Sequence, residues 1–200
     1  MANDEMELSP IARARLERVG KLTDEQQKAL QRGQDVEAML SAYYTGNTNG
    51  EGLWQAAKGL TEKHGPDIIP EAQHSILGTL KLHTGDEDFE RRKAALLALE
   101  SLKGSDRYSA IEMLLGSVAA LRQRFGEVMA QAFDQVRAQM EPQLRAQAEQ
   151  ARMQGMLVDT TSTIEASIKG SPEWRNFMSQ HEGSHEQTLH DYVERISDLL

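Results

Sequence analysis

Between Ile111 and Leu144 the apolar side chains Ile111, Leu115, Val118, Leu121, Phe125, Met129, Phe133, Val136, Met140 and Leu144 recur about every 3.67 residues. That interval keeps one stripe on one face of a nearly straight helix and does not wind it into a left-handed heptad coil. Residues 106–154 contain no strong breaker except Pro142. The pattern therefore predicts one helix of roughly 70 Å, at about 1.5 Å per residue. A small domain is narrower than that, so the helix must bend, be covered by chain folding back, or lean on another chain. Pro142 marks the place for a kink, because an interior proline loses one ladder bond and crowds the preceding turn at about 3 kcal/mol.

Shorter amphipathic segments flank this coiled-coil-like rod. Ser9-Pro10 reads as a hydroxyl cap followed by a proline at the first helical position, opening a helix that fades near Gly20. Thr23 and Gln26 have the spacing of a capping box, and Leu30, Val36, Met39, Leu40 and Tyr43 extend the helix it opens. TGNTNGEG, residues 45–52, reads as a loop. A third helix carries Leu53, Trp54, Ala57 and Leu60 and ends near Gly65-Pro66. A fourth is expected from Pro70 to the His83–Gly85 region, and a fifth from the acidic turn at Asp86 to Gly104.

After Gly155 a short helix with Ile164 and Ile168 stops at Gly170, and Ser171-Pro172 starts another. Gly183 is placed to end that one. Ser184 to Gln187 then has the form of a new capping box, opening a helix with Leu189, Tyr192, Val193, Ile196 and Leu199 inward. No segment alternates as a strand would. The expected fold class is all-α: a multi-helix bundle with one long, kinked helix over about residues 106–154. Its organisation is an N-terminal group of short helices over 1–104, then 105–200, in which the C-terminal helices pack back on the long one.

Composition narrows the functional classes. A net charge of −9 argues against general affinity for nucleic acid or anionic membranes. The absence of cysteine removes disulfides, thiolate nucleophiles and thiolate metal ligands. MANDEMELSP lacks the basic and apolar regions of a secretory signal, and no stretch approaches the ~18 apolar residues of a membrane span. The expected location is cytoplasmic. TGNTNGEG lacks the Lys-Ser/Thr of a phosphate loop. On the long helix, Arg137–Glu141 and Glu141–Arg145 have the spacing of a solvated ion-pair face.

One motif suggests chemistry. His181-Glu-Gly-Ser-His185 satisfies the pattern in which two histidines hold zinc and the glutamate between them, Glu182, acts as general base. His190 is a third candidate ligand. The pattern needs one uninterrupted helix, and the predicted break at Gly183-Ser184 would separate the imidazoles. The glutamate ligand that normally lies downstream would have only six residues after Glu194 to come from. The expectation is therefore a protein without catalytic activity or cofactor, whose partner is another protein or a second copy of itself. Leu121, Phe125, Met129, Phe133, Val136 and Met140 are the expected contact residues. The alternatives are a zinc-dependent hydrolase and a helical small-ligand domain with an apolar pocket between its halves.

Overall fold

The computed structural model describes residues 23–155 and 160–200. Among them run seven helices and no strand: α1 Asp24–Tyr44, α2 Gly50–His64, α3 Ile68–Leu77, α4 Asp86–Lys103, α5 Tyr108–Met153, α6 Thr160–Lys169 and α7 Pro172–Ser197. The start expected at Ser9-Pro10 lies outside the described residues. None of the described helices is long and apolar enough to cross a membrane.

Most helix ends follow local chemistry. The Thr23 hydroxyl accepts from the Gln26 amide at 3.2 Å, and the Gln26 side chain accepts from the Thr23 amide at 3.0 Å. Helix α2 begins inside the expected loop because Asn49 Oδ1 accepts from the Gly52 amide at 2.9 Å, and this cap offsets the poor helix propensity of Gly50 and Gly52. Gly104 ends α4 in the left-handed region at φ 60°, where a Cβ would be strained. Ser171 Oγ accepts from the Trp174 amide at 3.1 Å and caps α7.

Helix α3 differs from expectation at both ends. It starts two residues before Pro70, whose missing N–H has no intrahelical acceptor in a first turn. It ends at Leu77 and not near residue 83. Leu80 and Leu82 are buried all the same, but they reach the core from the connection between α3 and α4. Leu80, four residues after Ile76, has the spacing of a further helical turn.

A single hydrophobic core takes side chains from α1 through α5 and from α7, and it continues across residue 104. Its most enclosed large side chains include Leu53, Ile76, Phe89, Leu99, Leu115 and Ile196. Under it lies a polar knot. Glu100, 1% exposed, accepts from Gln73 Nε2 at 2.9 Å and from the Ser105 hydroxyl, and pairs with Lys103 Nζ at 3.0 Å. Lys103 also donates to the Leu200 carbonyl at 2.8 Å, and Arg107 to that of Leu199 at 2.8 Å, which seats the chain after α7 on α4 and α5.

Helix α5 is longer than the body it helps to build. Phe125 touches His185 and Phe133 touches Trp174, so α7 runs antiparallel to α5. Helix α6 continues this antiparallel track: from Arg137 to Arg152, α5 faces Ile164 and Glu165 of α6 across a cleft of 190 Å³. The outer part of α5 thus forms an arm two helices thick, with Ala148, Ile164 and Ile168 buried in its seam. The chain folds back, as the length of the helix required. Helix α5 continues through Pro142, which lies on the exposed face beside Ala138. Water can therefore satisfy the carbonyl that the proline leaves without a donor.

Candidate functional site

The break expected at Gly183-Ser184 does not occur, and α7 is continuous through the His-Glu-Gly-Ser-His segment. Trp174, Phe177, His181, His185, Leu189, Tyr192 and Ile196 fall at intervals of three and four residues, a single stripe. Trp174, His185 and Leu189 join that stripe to the α5 side of the fold. Retaining it outweighs the cost of an interior glycine, about 1 kcal/mol relative to alanine. The capping box also fails to form. Ser184 Oγ donates back to the His181 carbonyl at 3.1 Å, and Gln187 donates to Asp191 at 2.9 Å.

A continuous helix meets the first requirement of a zinc site, so the decision passes to the rings. The His181 ring stacks on Phe177 with centroids 4.2 Å apart. The Nδ1 of His185 donates to the His181 carbonyl at 2.8 Å, which leaves Nε2 as its free nitrogen. Glu182 is drawn elsewhere. Its Oε1 accepts from His83 Nε2 at 2.8 Å, and the Phe125 ring sits between His83 and His185 at centroid distances of 5.1 and 5.2 Å. His83 is therefore not a helix-end histidine, as its sequence position suggested. Arg122 holds its turn in place, donating to the Thr84 carbonyl and to Asp86 at 3.2 Å, with its guanidinium 4.4 Å from the centre of the Phe89 ring. His190 turns to Glu194 at 3.2 Å. Among the described residues no group of three His, Asp or Glu side chains is arranged around a common ion.

We expect zinc to leave the melting temperature unchanged, and EDTA likewise. Binding to the folded state alone raises the midpoint by about 2–4 °C per kcal/mol for a chain of this size. A rise of that kind that disappears in His185→Ala would establish a zinc site.

The groove beside these rings has a different character. It is a valley of 740 Å³ between α5 and α7, lined by Ser117, Ala120, Leu121, Arg124 and Val128 on one side and by His181, Ser184, His185, Thr188 and Tyr192 on the other. Of the expected contact residues, Leu121 borders this valley. Phe125 is buried inside the chain and unavailable to a partner. Met129 packs against the core and Phe133 against Trp174. Val136 and Met140 are half-buried on the arm. On the arm too, hydrogen bonds from Arg145 and Arg137 hold the Glu141 carboxyl below the usual carboxylate range. An apolar cleft at Trp54, Ile69, Pro70 and Leu102 lies wholly within the N-terminal helices and not between the halves. Arg124 and the His83–Glu182 contact were not anticipated from the sequence.

No curated protein and no solved structure matches the chain. One sequence family does, over residues 54–198, a span that takes in the Trp54 cleft, the valley and the arm. The chain belongs to that family, DUF6657, a family of unknown function.

Proposed function

We propose that the protein is a non-catalytic helical scaffold that self-associates through its arm, two α5–α6 hairpins packing side by side as a four-helix bundle. The observation that carries this reading is the incomplete burial of the arm's apolar stripe. A two-helix hairpin can enclose only the seam between its members, and Val136, Met140 and Leu144 remain half-buried at its edge. Met153 at the tip is 87% exposed.

Charge supports the same surface. The chain as a whole repels itself at −9. Residues 130–155, however, set Asp134, Glu141 and Glu149 against Arg137, Arg145 and Arg152, so two arms meet without net repulsion. Light scattering is expected to give twice the chain mass for the wild type. The double variant Val136→Asp/Met140→Asp is expected to give the monomer mass with its helical circular dichroism retained. Leu144→Glu, nearer the tip, serves if the double variant loses helicity. A wild type that stays monomeric at high concentration removes the proposal.

A further inference from the structure

We infer that the valley between α5 and α7 is a docking site for an amphipathic helix of a partner protein whose edge carries carboxylates. This inference is independent of self-association through the arm, because it uses a different surface.

Shape supports a helix as the occupant. Two antiparallel helices form the walls, and from Ser117 to Val128 the valley is about 16 Å long, three helical turns. Ser117, Ala120, Ser184 and Thr188 are small, which lets a third helix approach at the usual 8–10 Å between axes. Their hydroxyls are already used. Ser117 donates to the Met113 carbonyl at 3.1 Å, Thr188 to that of Ser184 at 2.9 Å, and Ser184 to that of His181. The floor therefore takes an apolar face without orphaning a donor. Leu121, Val128 and Tyr192 supply apolar wall. One turn before Ser117, on the same face of α5, Met113 is 68% exposed, an adaptable thioether positioned to extend the contact.

Charge selects the edge of that helix. The valley lining, among the described residues, contains Arg124, His181 and His185 and no carboxylate, in a chain whose acidic residues outnumber Lys and Arg by 31 to 22. Among the described residues Arg124 has no carboxylate within ion-pair distance, and Glu127, three residues on, accepts from Gln123 at 2.9 Å instead. A second copy laid into the same valley would bring Arg124 against its own counterpart. A partner bearing Glu or Asp meets the Arg124 guanidinium with the opposite sign.

The test uses three stapled helical peptides with one Leu/Ala stripe, edged by Glu, Gln or Lys, and reads their binding to the full chain by fluorescence anisotropy. Stapling removes helix formation as a variable. The Glu-edged peptide is expected to bind about tenfold more tightly than the Gln-edged one, and the Lys-edged peptide more weakly than both. Arg124 is exposed and makes no ion pair among the described residues, so Arg124→Glu should fold normally and move the preference toward Lys. Because the chain is net acidic, non-specific electrostatics would favour the Lys peptide in the wild type, so a Glu preference can only be local. Equal binding of the three peptides, no binding of the Glu peptide, or a Glu preference unmoved by Arg124→Glu would overturn the inference. The arm's self-association is read separately, by mass.

Discussion

Glu100→Ala is expected to lower the stability of the folded chain by about 3–5 kcal/mol, the cost of breaking a buried ion pair by deleting one member. The carboxylate sits under the core and accepts from Gln73, Ser105 and Lys103. Alanine would leave a buried amide and a largely enclosed ammonium facing a cavity. Burial alone would raise the Glu100 pKa, but the bonds from Gln73, Ser105 and Lys103 outweigh it and hold the carboxyl below its ordinary value.

The sign of the pH dependence follows. A folded-state pKa below the unfolded one gives stabilisation that is present above the unfolded pKa, about 4.3 for glutamate, and lost as pH falls through the folded value. Asp35 contributes in the same direction, because hydrogen bonds from Lys63, His64 and Gln31 hold its carboxyl far below the usual range. Wild-type stability should therefore decline as pH falls below that ordinary carboxylate value. Glu100→Gln should decline less steeply, because it has already lost one of the titrating groups. Urea unfolding at neutral and acidic pH measures both. A loss under 1 kcal/mol for Glu100→Ala at neutral pH would mean that the knot is not built as described.

The elements that could be read from the sequence are those whose signals are local. The Thr23–Gln26 box, the Ser171 cap, the acidic turn at Asp86 and the left-handed Gly104 each act within four residues, and each appears where its chemistry requires. The long helix was legible because its apolar interval is sustained over ten positions. Features set by tertiary contact were not. Leu80 stands four residues after Ile76, a helical interval, yet lies beyond the end of α3, because the core rewards burial whatever backbone delivers it. His83 meets Glu182 across 99 positions of sequence, and no local signal announces a contact at that range. Arg124 had no readable clue: it lies one turn after Leu121 and Ala120, beside the apolar stripe, but Glu127 stands three residues on at ion-pair spacing. Only the structure shows that Glu127 accepts from Gln123 at 2.9 Å instead.

The largest disagreement between sequence and structure can itself be measured. Substitutions at Gly183 separate a continuous α7 from a helix that stops there, because the two predict opposite signs. In the continuous helix Gly183 has helical backbone without positive φ, and a Cβ placed on it would meet nothing within 4 Å. Gly183→Ala should then stabilise the protein by about 0.5–1 kcal/mol, through the smaller entropy loss of alanine in a helix interior. Gly183→Pro should cost about 3 kcal/mol or more, since it removes a ladder bond in mid-helix and pushes against the carbonyl of Ser179. Were Gly183 instead the left-handed terminator of one helix, alanine would be strained there and would destabilise. The two substitutions also bear on the valley. If proline splits α7, His181 and His185 separate and the wall facing Arg124 loses its register, so the Glu-edged peptide should lose affinity. Gly183→Ala should leave that affinity unchanged while raising the melting temperature. An alanine variant less stable than wild type would break α7 at Gly183 and remove the valley with it.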